Sequence, residues 1–171
     1  DIVFVPGRPS RWLTPLREQT DFDSYAICSN GAVVYHLGAN EVEAVNGAEP
    51  AVIERAHTRL EPIFPEVTYT LETVDTVYIQ GPHDGGDVLE GARVVESSIA
   101  EAFVALGDTP IIKYLVRVPG MDPDILHVRV AQTVGELVSV TRGVVGEPLI
   151  EMGSKTVNKG RTLAQFAARH G

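Results

Sequence analysis

The chain has 171 residues, with 14 Lys plus Arg against 23 Asp plus Glu, a formal net charge of −9 and 44% apolar residues. That length suits one ordinary domain or two small ones, and the apolar content excludes wholesale disorder. A single cysteine, Cys28, rules out a disulfide-stapled scaffold, and the acidic balance argues against nucleic acid or an anionic membrane as partner. No run approaches the ~18 apolar residues that span a bilayer, so a cytoplasmic protein is expected.

Residues 2–5 (IVFV) are four consecutive apolar side chains and predict a buried strand. Residues 10–19 predict a first helix with Trp12, Leu13 and Leu16 facing inward, although Pro15 interrupts the pattern. Residues 24–28 (SYAIC) and 32–37 (AVVYHL) predict two extended pieces parted by the sharp boundary Asn30-Gly31. Strand, helix, strand favours a parallel α/β arrangement.

The pattern changes after Gly38. Val52, Ile53, Ala56, Leu60 and Ile63 recur at helical spacing over residues 49–64, and Pro65 ends the run. Residues 67–80 alternate apolar with polar, as in a strand or hairpin with one face exposed. Residues 94–106 predict a helix and 111–118 a strand. Asp122-Pro123-Asp124 predicts an N-cap opening a helix through Gln132. Residues 137–145 and 148–152 return as strands, and 158–170 as a helix with Leu163, Phe166 and Ala167 on one face. The fold expected is therefore α/β: core elements at 1–38, an inserted α+β block with an open-faced sheet at 39–147, and a return to the core at 148–171. Both ends read as cut faces of something longer, and their unpaired sheet edges predict a homodimer or aggregation-prone behaviour.

Three stretches in this order carry a resemblance: Val3-Phe4-Val5-Pro6-Gly7-Arg8-Pro9, Ser29-Asn30-Gly31-Ala32, and EMGSKTVNKGRTL at 151–163. They resemble the haloacid dehalogenase (HAD) superfamily, in its Cof-type sugar-phosphatase branch, where a large α/β cap is inserted between strands of a Rossmann-like core. The resemblance implies Mg²⁺-dependent hydrolysis of a small-molecule phosphate ester by way of an aspartyl-phosphate. It matches Lys159 to the phosphate-binding lysine, with Lys155 as the competitor if the register slips. Gly7, Arg8, Asn30, Arg11 and Lys113 are candidate substrate contacts, set against Arg8 as a structural arginine paired with a carboxylate, Asn30-Gly31 as turn chemistry, and Arg11 and Lys113 as solvated charges.

The sequence departs from the family pattern in three ways. The Asp-x-Asp-Gly-Thr nucleophile segment is absent, the only Asp-Gly being Asp84-Gly85, and so is the later acidic segment that completes the metal site. No metal site is therefore expected in this chain, and Mg²⁺ belongs to a complete parent. Pro6 stands where the family has a Thr or Ser hydroxyl, and proline has neither hydroxyl nor N–H with which to hold phosphate. A noncatalytic binding or assembly module of the same shape is the alternative.

Other motifs carry less. Gly153-Ser154-Lys155-Thr156 breaks the order of a nucleotide P-loop and has Pro148 where the first glycine belongs. His83 with Asp84 and Asp87 reads as a polar turn rather than a metal cluster. Cys28, in an apolar strand, reads as inert core.

Overall fold

The computed structural model describes residues 3–19, 24–83, 89 and 91–170, which divide into two compact units. One unit comprises residues 1–47 and 156–171, the other residues 48–155.

The first unit opens with β1 (Val3–Phe4), a 3₁₀ turn at Ser10–Leu13 and α1 (Thr14–Gln19). Leu13 is buried, whereas Trp12 and Leu16 are only half-buried, because the interrupted helix is too short to turn all three inward. Strands β2 (Tyr25–Cys28), β3 (Val33–His36) and β4 (Glu41–Val45) follow, giving a four-stranded sheet in the order β1-β2-β3-β4. The β1–β2 pair is parallel, as a strand–helix–strand segment requires, with Val3 opposite Tyr25; the later pairs are antiparallel.

The middle unit runs α2 (Pro50–Leu60), β5 (Thr68–Glu72), β6 (Thr76–Gln80), β7 (Arg93–Glu96), α3 (Ile99–Leu106), β8 (Lys113–Arg117), α4 (Pro123–Val134), β9 (Ser139–Arg142) and β10 (Leu149–Gly153). Its sheet has six strands in the order β7-β6-β5-β8-β10-β9, antiparallel except for β6–β7. Tyr69, Leu71, Tyr114, Val116, Ile150 and Met152 alternate onto one face and meet Ile53, Ala56 and Leu60 of α2, Ile99 and Leu106 of α3, and Leu126, Val130 and Val134 of α4. The helix start at Asp122 forms as its sequence predicts, with the carboxylate accepting from the N–H groups of Asp124 and Ile125.

Three sequence expectations are corrected here. Residues 94–106 are not one helix: Val94 and Val95 extend β7 beside β6, and Ser98 then starts α3 with a capping box to Glu101. Ile63 lies beyond the end of α2 and is 39% exposed rather than core. Strand β10 pairs with β8 and β9 of the middle sheet, so the units divide at 155/156, eight residues later than the sequence pattern suggests.

The chain ends in α5 (Lys159–His170), which belongs to the first unit. Its Phe166 packs on Ile27 and Val34, with ring centroids 4.8 Å from Tyr25 and 4.1 Å from His170. Burying a phenylalanine of this kind contributes about 1.5–3 kcal/mol. Leu163, expected inward, is 38% exposed, and the buried position is Thr162. Cys28 is buried and desolvation pushes its thiol pKa up to about 12, so it behaves as an inert apolar side chain.

One buried group makes the middle unit sensitive to acid. His57 is 7% exposed, its Nδ1 lies 2.7 Å from the Tyr114 hydroxyl, and burial lowers its pKa although the nearby Glu61 opposes the shift. Above the unfolded value of ~6.5, His57 is neutral in both states and stability is insensitive to it. As pH falls through ~6.5 the unfolded chain takes up a proton that the folded chain resists, so stability declines. Urea midpoints followed from pH 8 to pH 5 should fall below pH 6.5, and the His57→Phe, Tyr114→Phe double variant should flatten that fall. A midpoint in the parent chain that stays level to pH 5 would refute this account.

Candidate phosphate-binding site

The site is built within the first unit. Backbone φ is positive at three successive residues, Ser29 (48°), Asn30 (58°) and Gly31 (106°), which reverses the chain between β2 and β3. Three hydrogen bonds hold this left-handed turn. The Ser29 N–H donates to Arg8 O at 3.0 Å, the Ala32 N–H donates to Ser29 O at 3.2 Å, and the Thr162 hydroxyl donates to Gly31 O at 2.9 Å. The turn thereby ties the Gly7–Arg8 loop to the first turn of α5.

Asn158 caps that helix: its Oδ1 accepts from the Arg161 N–H at 2.9 Å. The N–H groups of Lys159 and Gly160 precede it and have no partner inside the helix by the geometry of a helix start. Lys159 is therefore a cation placed beside donors that favour an anion.

Gly7 brings the pieces together. A β-carbon on Gly7 would stand 3.1 Å from Asn30 Oδ1 and 3.5 Å from Lys159 Nζ, so an ammonium and a carboxamide converge beside a loop whose lack of a side chain lets them approach. A half-turn about the terminal bond of Asn30 presents its NH₂ donors to an anion at the same place.

The remaining candidates have these surroundings. The Arg8 guanidinium sits 5.2 Å above the Trp12 ring, and Arg11 is half-buried in the turn that follows. Lys113 is in the middle unit, 3.1 Å from Glu151 on a neighbouring strand, with both side chains less than one-fifth exposed. The Lys155 ammonium donates to the carbonyls of Gly135 and Glu136 at the end of α4, within the middle unit. Asp84 and Asp87 lie outside the described residues. Among the described residues no three His, Cys, Asp or Glu side chains could hold a metal ion, and no helix is long and apolar enough to cross a membrane.

Thr162, Asn158 and Ser29 went unremarked as site residues in the sequence. Asn158 directly before Lys159-Gly160 was the readable signal, since Asn is a favoured N-cap. Thr162 gave none, because its partner is a carbonyl 131 residues away.

A lysine at a helix start thus stands against a glycine loop at the end of a parallel strand pair, in a mixed α/β chain. The chain belongs to the haloacid dehalogenase-like hydrolase family, whose sequence profile matches residues 1–171. Solved structures share the fold. A haloacid dehalogenase-like hydrolase from Bacteroides thetaiotaomicron superposes with a TM-score of 0.71 at 16% identity, over 98% of this chain and 64% of that one. Another from B. subtilis gives 0.72 at 16% identity, over 99% and 66%. A HAD subclass IIB sugar phosphatase gives 0.69 at 14% identity, over 99% and 62%. The chain thus spans under two-thirds of the length of these proteins. No curated protein matches it in sequence.

Proposed function

We propose that this chain supplies the phosphate-binding corner and the substrate cap of a Mg²⁺-dependent phosphohydrolase that acts on a phosphorylated small metabolite such as a sugar phosphate. The observation that carries the reading is the approach of Lys159 Nζ and Asn30 Oδ1 to within 3.5 Å of one point above Gly7. A phosphate there meets the lysine ammonium, the Asn30 amide and the first N–H groups of α5. Together these offset charge that grows on the equatorial oxygens during phosphoryl transfer.

The attacking and metal-binding aspartates of the family are assigned to the complete parent. Among the described residues no three His, Cys, Asp or Glu side chains could hold Mg²⁺, and the role proposed for this chain is binding and orienting the phosphate and covering the substrate. Residues 48–155 are assigned the cap, which selects the leaving group by shape. The Lys113–Glu151 pair makes Lys113 part of the cap's sheet before it is anything to a substrate. Arg8 is likewise committed to Trp12.

Pro6 favours a second reading, a binding module that has lost the chemistry, since it removes both a hydroxyl and an N–H from the loop. One experiment separates the two. The full-length protein is assayed for phosphate release from a panel of sugar and nucleotide phosphates, with Mg²⁺ and then with EDTA. Turnover of at least one phosphorylated sugar, abolished by EDTA, is expected. Phosphate binding without turnover of any ester would establish the binding module, and absence of both would overturn the phosphate reading itself.

A further inference from the structure

Ser29 carries two independent penalties in one residue. Its φ of 48° is a left-handed conformation that a side chain with a β-carbon resists, and unlike Asn30 and Gly31 it is not a residue type that adopts it readily. Its hydroxyl is also buried, with no hydrogen-bond partner among the described residues, in a residue 3% exposed. Glycine would remove both penalties. A position so poorly suited to stability, and adjacent to Asn30, points to a requirement of the site.

We propose that Ser29 is a positioning residue, whose β-carbon confines the Ser29–Gly31 turn to the single conformation that holds Asn30 beside Gly7 and Lys159. The inference rests on the phosphate-binding reading above. The physical device is steric. The Ser29 N–H to Arg8 O bond anchors the first residue of the turn, and with φ held positive the β-carbon closes off the neighbouring regions that glycine enters freely. The hydroxyl contributes nothing, which is consistent with its having no partner.

The test compares Ser29→Gly with Ser29→Ala. Inorganic phosphate is titrated into the 171-residue chain and into the full-length protein, and hydrogen exchange is followed at residue 29 alongside thermal melts. Ser29→Gly is expected to weaken phosphate binding at least tenfold and to speed exchange at residue 29, while its melting temperature equals or exceeds that of the parent. Ser29→Ala keeps the β-carbon and should weaken binding less than threefold. Equal losses in the two variants would assign the effect to the hydroxyl and overturn the proposal. So would unchanged binding in Ser29→Gly, or a lower melting temperature that makes Ser29 a structural residue. If the parent protein binds no phosphate, the site reading fails first and takes this inference with it. Binding that is lost in Lys159→Ala but indifferent to residue 29 sinks only the inference.

Discussion

Lys159→Ala should lower the affinity for inorganic phosphate by roughly 10- to 100-fold while leaving the fold intact. A hydrogen bond to a charged group is worth about 1.5–3 kcal/mol, and each 1.4 kcal/mol is a tenfold change in binding. Among the described residues the Lys159 ammonium is the cation nearest the Gly7 point, 3.5 Å away. The stability side runs the other way. Lys159 is the first residue of α5, where the helix dipole disfavours a cation, and replacing it by alanine relieves that repulsion by a few tenths of a kcal/mol. A variant that binds phosphate poorly yet melts no lower than the parent is therefore the expected result, read by calorimetric titration and thermal melts. Lys155→Ala is the control. Its ammonium caps the carbonyl end of α4, so it should loosen that helix end and leave phosphate affinity unchanged. Equal losses in the two variants would mean that the affinity follows net charge and not the site.

Much of this arrangement is legible in the amino-acid sequence because local rules and tertiary outcome agree. Asp122 before Pro123 starts a helix wherever it stands, and Asn30-Gly31 marks a chain reversal whatever surrounds it. The failures come where a distant partner decides. Residues 94–106 keep a helix-like apolar spacing, but β6 offers an open edge to Val94 and Val95, and the pair joins the sheet. On α5 the buried face is set by Thr162 as well as Phe166, because a hydroxyl that finds the Gly31 carbonyl is satisfied inside the protein. Hydropathy ranks Leu163 above Thr162 and so turns the predicted face by one residue. The candidate cations show the same limit. Nothing near Lys113 in sequence announces Glu151, and only the sheet order makes them neighbours. Lys159, by contrast, is positioned by the cap next to it, which a sequence does display.

Gly31→Ala should be the most damaging single methyl in the first unit, lowering its stability by about 3–5 kcal/mol. At φ of 106° an L-residue is strained by roughly 1–3 kcal/mol whatever the space around it. Here there is no space. The added carbon would stand 2.7 Å from the carbonyl carbon of Asn158, 2.8 Å from its oxygen and 3.0 Å from the Lys159 nitrogen. These are backbone atoms at a capped helix start, and unlike a flexible side-chain tip they cannot swing aside. Relief requires α5 to move off the turn, which breaks the Thr162 to Gly31 hydrogen bond, worth about 1 kcal/mol, and loosens Phe166 from Ile27 and Val34. Thr162→Val isolates the hydrogen bond while keeping the side-chain volume, and should cost about 1–3 kcal/mol by leaving the Gly31 carbonyl unpaired. If the clash acts by driving the helix away, the double variant should be less destabilised than the two single losses combined, since Gly31→Ala has already broken that bond. Urea unfolding of the four proteins measures this. Full additivity would show that the turn absorbs the methyl without displacing α5, and a loss below 1 kcal/mol in Gly31→Ala would show that the close packing of Gly31 on Asn158 does not hold the first unit together.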